Sequence, residues 1–310
     1  MNKFAFVFPG QGSQSIGMLK GFAENAVVQQ TIAEASEALQ FDLGRMMADG
    51  PKEELDLTTN TQPVMLTAAV AFYRAWIAAG GATPLLAAGH SLGEYSALVA
   101  SGVIPFDVAV RLVRFRAQAM QDAVPVGQGG MAAILGLTDD EVYEVCAASA
   151  QGEVVEAVNF NAPAQVVIAG HKGAIARACE IAKAKGAKRA LTLAVSAPFH
   201  SSLLKPASDR LRVFMADLAF SSPQIAVINN VDVAVESDPS RIKDALVRQA
   251  ASPVRWVETI QKLAAENVKY VVECGPGKVL TGLTKRIDTN LQAEAITDQT
   301  SLDRILELLK

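Results

Sequence analysis

The feature that most constrains the fold is a repeated alternation between short apolar runs and longer stretches of helical periodicity. The runs are FAFVF (4–8), LLAAG (85–89), IAVINNV (225–231) and VKYVVECG (268–275). Amphipathic segments separate them, and strands that are buried on both faces of a parallel sheet have this continuous apolar character. The alternation therefore predicts an α/β fold with a mostly parallel sheet.

The order of elements changes between residues 125 and 196. There the sequence predicts strand, helix, strand, strand, helix and strand, which is the ferredoxin-like βαββαβ order. Thr138 and Glu141 have the spacing of a capping box at the start of the first of these helices. We predict a small ferredoxin-like domain over 125–196, inserted into a large α/β-hydrolase-like domain formed by 1–124 and 197–310. The cleft between the two is the expected ligand site.

Composition and charge exclude several classes of function. Half of the residues are hydrophobic and 19% are charged, yet no apolar run approaches the roughly 20 residues of a membrane span. The first apolar run leads directly into Gly-Gln-Gly rather than into a signal-peptide cleavage site, so a cytoplasmic location without membrane association is expected. The formal net charge is −4, and no basic run is interleaved with aromatic residues, so a nucleic-acid partner is not expected.

The three cysteines do not form a recognisable pattern. Cys146, Cys179 and Cys274 are widely spaced, odd in number and without a C-x-x-C pair. This argues against a disulfide framework and against a zinc site. We expect a monomeric enzyme that uses neither a metal nor a cofactor.

The strongest chemical signal is Gly89-His90-Ser91-Leu92-Gly93, which lies between an apolar run and an alanine-rich helical segment. In a G-x-S-x-G elbow, the serine stands at the tip of a tight strand-to-helix turn, where substrate can reach it. The N–H groups at the start of the following helix favour negative charge at the same place. Ser91 is therefore a candidate nucleophile, and a turn residue is the alternative.

A nucleophilic serine needs a base, and the chain has three histidines. His90 is adjacent to Ser91, where a productive hydrogen bond between the two side chains is difficult to form. His171 is placed at the start of a predicted helix of the small domain, where a solvated histidine is expected. His200, in the loop SAPFHSS, returns to the large domain at the cleft and is the preferred base. No acid that could complete a triad can be identified between Ser91 and His200.

Arg116 is out of place on its predicted helix. In FDVAVRLVRFRAQAM (106–120), a helical period puts the other charged residues on one arc and places Arg116 within the apolar arc. Burying an unpaired guanidinium is costly, so a partner is required. The partner is either an internal carboxylate or the carboxylate of a ligand, which the planar guanidinium can bind through two hydrogen bonds.

A glycine-rich turn follows the first predicted strand. Gly12 and Gly17 have the spacing of a phosphate-binding Walker A loop, but Met18 stands where that loop requires lysine. Backbone N–H groups in such a turn, at the carboxyl end of a parallel strand, are suited to form an oxyanion hole.

Taken together, these motifs closely resemble those of the malonyl-CoA:acyl carrier protein transacylases of fatty acid synthesis. The resemblance covers nearly the full length and includes the predicted small domain. It is carried by Arg116 and by the segments GQGSQ (10–14), GHSLGEY (89–95), SAPFHS (196–201), VRQAASPVRW (247–256) and ECGPGKVLTGL (273–283).

The resemblance implies a role for each candidate residue. Ser91 would be the acylated nucleophile and His200 its base, while the backbone N–H groups of Gln11 and Leu92 would form the oxyanion hole. Arg116 would hold the free malonyl carboxylate. The site would be completed by Gln249, whose backbone carbonyl would orient the histidine, and by Phe199, which in related polyketide-synthase acyltransferases accompanies a choice of malonyl over methylmalonyl.

The implied reaction is a ping-pong exchange. The malonyl group would pass from malonyl-CoA to Ser91 and then to the phosphopantetheine thiol of an acyl carrier protein. Two alternatives remain open from the sequence: a stand-alone acyltransferase of a polyketide synthase, and a serine esterase or thioesterase. A hydrolase of the latter kind has no use for a buried arginine.

Overall fold

The structure is a computed structural model that describes residues 3–310. Within this range, the strands are β1 (Phe4–Phe8), β2 (Leu86–Gly89), β3 (Gly129–Leu135), β4 (Val155–Ala162), β5 (Gln165–His171), β6 (Arg189–Thr192), β7 (Ala226–Ile228), β8 (Tyr270–Cys274) and β9 (Gln292–Ile296). The α-helices are α1 (Ala26–Leu39), α2 (Leu43–Asp49), α3 (Lys52–Leu55), α4 (Thr58–Ala78), α5 (Gly93–Ala100), α6 (Phe106–Asp122), α7 (Asp139–Ala150), α8 (Lys172–Ala184), α9 (Lys205–Met215), α10 (Pro239–Gln249), α11 (Trp256–Ala265), α12 (Val279–Ile287) and α13 (Gln299–Leu309). Short 3₁₀ helices cover Lys20–Phe22 and Ser202–Leu204.

The first sheet is entirely parallel and has the order β7-β2-β1-β8-β9. All five residues of its central strand, β1, are buried. Alternate side chains of β1 point into two different cores: Phe4, Phe6 and Phe8 into one, and Ala5 and Val7 into the other. Because helices cover both faces, the strand must be apolar on both sides, which accounts for the continuous run FAFVF.

The two cores contain different helices. The larger core contains buried residues of α1, α4, α6 and α9, whereas the smaller one contains buried residues of α11 and α12. Helices therefore lie on both faces of a parallel sheet, as in doubly wound α/β folds. This arrangement confirms the α/β fold class predicted from the alternation of elements.

The second sheet is antiparallel and has the order β4-β5-β3-β6. Its strands are connected as β3-α7-β4-β5-α8-β6, with α7 and α8 contributing to a separate hydrophobic core. The predicted capping box is present, because the Thr138 hydroxyl accepts from the Glu141 N–H and the Glu141 carboxylate accepts from the Thr138 N–H. The predicted βαββαβ order is thus confirmed.

The sequence predicts four strands for the large sheet, whereas the structure has five. The structure adds β9, which pairs in parallel with β8 at the edge of the sheet. Its sequence, QAEAI, alternates polar and small residues, because one side of an edge strand remains accessible to water.

Among residues 3–310, none of the helices combines the length and the apolar character needed to cross a bilayer.

Candidate active site

Ser91 lies in the tight turn between β2, which ends at Gly89, and α5, which begins at Gly93. Its φ angle is 51°, a left-handed conformation that non-glycine residues rarely adopt. A Cβ atom on Gly93 would lie 2.0 Å from the Phe8 carbonyl oxygen, and one on Gly89 would lie 1.9 Å from the Gly93 carbonyl carbon. The two glycines are therefore required because backbone segments approach each other here without room for a side chain.

Ser91 and His200 form a hydrogen-bonded pair across 109 positions of sequence, with 2.7 Å between Ser91 Oγ and His200 Nε2. On the other side of the ring, His200 Nδ1 lies 2.9 Å from the Gln249 backbone oxygen. A carbonyl oxygen only accepts hydrogen bonds, so Nδ1 carries the proton and Nε2 is left to accept one from Ser91. The group that orients this histidine is thus a backbone carbonyl and not an acid.

Burial keeps His200 neutral. The side chain is buried, and loss of hydration, with a further contribution from the charge of Arg116, lowers the pKa of His200 to about 3. At neutral pH the imidazole is therefore uncharged, and its Nε2 is free to accept a proton. This protonation state suits a general base at neutral pH.

The other two histidines have different surroundings. His90 Nε2 lies 2.7 Å from Asn161 Oδ1, and its ring packs against Trp256. His171 precedes α8, where its Nδ1 accepts a hydrogen bond from the Val154 N–H at 2.9 Å. Neither ring contacts the Ser91 hydroxyl.

Arg116 projects from α6 into the same site and is only 1% exposed. Its Nη1 donates to Gln62 Oε1 at 2.9 Å, and its Nη2 donates to Gln249 Oε1 at 2.9 Å and to Ser91 Oγ at 3.2 Å. Its Nε has no hydrogen-bond partner among the described residues. Burial lowers the pKa of Arg116, but an arginine remains protonated at neutral pH.

The hydrogen-bond partners of Arg116 are therefore neutral. None of the ion pairs formed among residues 3–310 includes it, and its guanidinium is held by two glutamine amides and a hydroxyl. The structure therefore does not contain the internal ion pair that was one of the two interpretations of Arg116. A buried cation without a direct counter-ion, beside a hydroxyl, is suited to bind an anionic group of a ligand.

A cavity of about 230 Å³ opens over this site. Gln11, Ser91, Leu92, Arg116, Phe199 and His200 all contribute to its walls, together with residues of the antiparallel sheet and of α12. Gln249 does not line the cavity but lies behind Arg116 and His200, fully buried. The structure thus brings all seven predicted site residues together.

Two backbone N–H groups are available at the cavity. Within the described part of the chain, the N–H groups of Gln11 and Leu92 donate no hydrogen bond. Gln11 lies in the glycine-rich turn three positions after the end of β1, and Leu92 immediately precedes α5. Free donors on either side of a nucleophile are the requirement for an oxyanion hole.

Comparison with known proteins agrees with this geometry. The family model described as the acyl transferase domain matches residues 5–304. The chain belongs to the acyl transferase domain family. The malonyl CoA-acyl carrier protein transacylase of Salmonella typhimurium is 55% identical over 99% of both chains, and that of Escherichia coli K12 is 54% identical over 99% of this chain and all of the other.

Solved acyl transferases share the fold over the whole length. The crystal structure of an acyl-carrier-protein S-malonyltransferase from Burkholderia pseudomallei matches with a TM-score of 0.97 and 69% identity, covering 98% of this chain and 99% of the other. A malonyl-transacylase solved in complex with its type II PKS acyl-carrier protein matches with a TM-score of 0.98 and 52% identity, over 99% and 100% of the two chains.

This acyl transferase domain also contains polar residues that the sequence did not single out. Asn230 is fully buried, its Oδ1 accepts from the Ser91 N–H at 2.8 Å, and its Nδ2 donates to the Gly89 oxygen at 2.7 Å. Asn230 therefore ties both sides of the strained elbow to the end of β7. The signal for it was a pair of asparagines within the apolar run IAVINNV.

Glu94 is a second residue that the sequence analysis missed. It is 2% exposed, and its Oε2 accepts from the Asn230 N–H and from Gln249 Nε2, both at 2.9 Å. Burial raises the pKa of Glu94 to about 7, and these hydrogen bonds and the charge of Arg116 oppose the rise. A glutamate within the apolar helix start GEYSALVA was the available signal.

Proposed function

We propose that this protein transfers the malonyl group from malonyl-CoA to the phosphopantetheine thiol of an acyl carrier protein, through a malonyl ester of Ser91. The observation that carries the proposal is the position of Arg116, a buried cation whose hydrogen-bond partners are neutral and whose Nη2 lies 3.2 Å from Ser91 Oγ. A hydrolase of simple esters needs the nucleophile and the base, but it gains nothing from a buried charge beside them.

In the first half-reaction, Ser91 Oγ attacks the thioester carbonyl carbon while its proton passes to His200 Nε2. The N–H groups of Gln11 and Leu92 donate to the oxygen that becomes negative. These donors are already free and in place, so little reorganisation accompanies the change of charge. Collapse of the intermediate breaks the carbon–sulfur bond, and the departing CoA sulfur takes the proton from His200.

The second half-reaction runs the same steps in reverse. The phosphopantetheine thiol of the carrier protein gives its proton to His200, and its sulfur attacks the malonyl ester. The carbon–oxygen bond to Ser91 then breaks, and the serine recovers the proton. Malonyl leaves as a thioester of the carrier protein, so the two thiols exchange one acyl group in a ping-pong sequence.

Arg116 and Phe199 define the acyl end of the site. The Arg116 guanidinium binds the free carboxylate of malonyl and so holds the thioester carbonyl over Ser91. Phe199, which is 8% exposed, forms part of the cavity wall next to His200, and a bulky ring there leaves less room for an added methyl group than a small side chain would. This supports malonyl rather than the bulkier methylmalonyl as the transferred group.

The catalytic residues come from the proposed large domain (1–124 and 197–310), and the inserted small domain (125–196) covers the cavity. Met131, Asn159 and Val167 of the antiparallel sheet line the cavity together with residues of the elbow, which supports this division. We place the protein in the cytoplasm, as a supplier of malonyl groups to fatty acid synthesis. A stand-alone role in polyketide synthesis is the alternative, favoured by the relative solved with a type II PKS carrier protein.

The test is an assay of CoA release from malonyl-CoA with and without a holo acyl carrier protein. A transferase releases one equivalent of CoA per active site and continues only when the carrier thiol is present. Ser91→Ala is the control, and it must show neither release nor a malonylated protein by intact mass. Continued release without carrier protein would make the protein a thioesterase, and malonylated Ser91→Ala would remove Ser91 from the mechanism.

A further inference from the structure

The side-chain amide of Gln249 connects the Arg116 guanidinium to the Glu94 carboxyl group behind the cavity. Its Oε1 accepts from Arg116 Nη2 at 2.9 Å, while its Nε2 donates to Glu94 Oε2 at 2.9 Å and to the Ser91 backbone oxygen at 3.0 Å. All three connected side chains are buried. The two ends of a primary amide have almost the same shape, so the neighbours decide which end faces which way.

Only one orientation of this amide satisfies its neighbours. A guanidinium can only donate, so Arg116 requires the amide oxygen. Glu94 Oε2 accepts from both Gln249 and the Asn230 N–H, so it requires the amide nitrogen. The reversed amide would place donor against donor and acceptor against acceptor, and buried polar groups left unsatisfied in this way are destabilising.

The carboxylate of Glu94 is itself well fixed. Glu94 lies in the first turn of α5, three positions after Ser91, and its Oε2 is tied to Asn230, which also holds the nucleophile's own N–H. The position of this carboxylate relative to Ser91 is therefore set by the elbow. Glu94 in turn fixes the orientation of the Gln249 amide, which holds the Nη2 end of Arg116. The position of the guanidinium is therefore also set relative to the elbow.

We propose that Glu94 is a positioning residue for malonyl recognition: by presenting an acceptor to Gln249 Nε2, it turns the amide oxygen toward Arg116 and holds the guanidinium beside Ser91. This proposal rests on the proposed function, because it concerns how the carboxylate of the transferred group is met. Glu94 does not contact the acyl group itself, so its effect must pass through Gln249 and Arg116.

The readout is the ratio of kcat/KM for malonyl-CoA to kcat/KM for acetyl-CoA. Acetyl uses the same nucleophile and base but has no carboxylate, so general damage to the elbow lowers both values equally. Glu94→Met keeps the length of the side chain and removes its acceptors, and we expect it to lower the ratio about tenfold, as for coupled neighbours. Glu94→Gln keeps one acceptor oxygen and should retain the ratio to within about threefold.

Two further variants test the route of the effect. Gln249→Met removes the amide but keeps the backbone carbonyl that orients His200, so Glu94→Met should not lower the ratio further in that background. Glu273→Gln is the matched control, since Glu273 is a fully buried carboxylate that instead accepts from residues at the start of α12. It should leave the ratio unchanged.

Several outcomes overturn the positioning role: an equal fall for malonyl and acetyl in Glu94→Met, additive effects in the double variant, or a collapsed ratio in folded Glu94→Gln. If Glu94→Met does not fold, the decision passes to Glu94→Gln and to hydrogen exchange of the Gln249 side-chain amide in the wild-type protein. Exchange as fast as in a surface glutamine contradicts the proposal, and slow exchange with a retained ratio supports it. Absence of malonyl transfer by the wild-type protein would instead refute the proposed function.

Discussion

Arg116 Nη2 lies 3.2 Å from Ser91 Oγ and also donates to Gln249 Oε1, so one nitrogen contacts both the Ser91 hydroxyl and the buried amide behind it. Ser91 and the Arg116 guanidinium are therefore hydrogen-bonded parts of one site rather than two independent subsites. A ligand whose carboxylate reaches the guanidinium has its reacting carbonyl positioned by the same contact. Fixing the geometry in this way reduces the entropy cost of reaching the transition state.

Truncating Arg116 should separate the two acyl substrates. In Arg116→Ala, the malonyl carboxylate loses its partner, and we expect a loss of about 2–5 kcal/mol in kcat/KM, as for truncation of one member of a buried charge pair. The acetyl group has no carboxylate, so its rate of transfer should stay unchanged or increase. Steady-state kinetics with both thioesters measure this difference.

Arg114→Ala is the matched control for that experiment. Arg114 lies on the same helix, but its Nη1 donates to the Thr59 oxygen and to Asn60 Oδ1, away from the cavity. It should affect both substrates alike. If Arg116→Ala also lowered malonyl and acetyl transfer by the same factor, Arg116 would be a structural residue.

Removal of the base should slow both half-reactions. We expect His200→Ala to lower the transfer rate by about 10²-fold or more, because Ser91 then loses its proton acceptor. Rapid-mixing measurements of CoA release report the acylation step directly. His90→Ala is the comparison, since His90 bonds to Asn161 and not to the nucleophile. A larger loss in that variant would contradict the assignment of the base.

Gly93 should be intolerant of even a methyl group. The Cβ of Gly93→Ala would lie 2.0 Å from the backbone oxygen of Phe8, so β1 and α5 would have to separate. We expect a loss of about 1–3 kcal/mol or more in the free energy of unfolding, as for overpacked cores. Urea denaturation measures it.

Gly282→Ala provides the opposite case. Gly282 lies within α12, and its Cβ would meet no atom within 4 Å. Alanine has the higher helix propensity, so this variant should gain up to about 1 kcal/mol. A stable Gly93→Ala variant would show that the elbow is less tightly closed than the structure indicates.

The pH dependence of stability should contain two opposing contributions. The pKa of His200 is lowered to about 3, so below pH 6.5 only the unfolded chain takes up this proton, and stability falls as pH decreases. The pKa of Glu94 is raised to about 7, so above its ordinary value of 4.5 only the unfolded chain releases this proton, and stability falls as pH increases. Between pH 4.5 and 6.5 the two slopes, each about 1.4 kcal/mol per pH unit, largely cancel.

Single variants should expose each slope. In Glu94→Gln, the contribution of His200 remains, so stability relative to the wild-type protein should improve steadily from pH 4.5 to pH 7. In His200→Gln, the contribution of Glu94 remains, and relative stability should improve as the pH falls from 6.5 toward 3. Denaturant titrations at several pH values give both differences. Curves parallel to the wild-type curve would mean that these groups titrate normally.

The local sequence determined the features that depend on near neighbours. The strand ending at Gly89 and the helix beginning at Gly93 follow from an apolar run, two glycines and an alanine-rich segment within about fifteen positions. The capping box at Thr138 is also local. Strand β9 was missed because an edge strand is buried on one side only, and its short polar alternation resembles that of a loop or a helix.

Only the tertiary structure decided how the buried charges are satisfied. The sequence placed Arg116 within an apolar helix face but could not choose its partner, because Gln62 and Gln249 lie 54 and 133 positions away. A backbone carbonyl, such as that of Gln249 facing His200, has no sequence signature at all, since every residue carries one. Polar groups excluded from water must find partners in three dimensions, and those partners are set by the packing of β2, β7, α6 and α10 rather than by proximity along the chain.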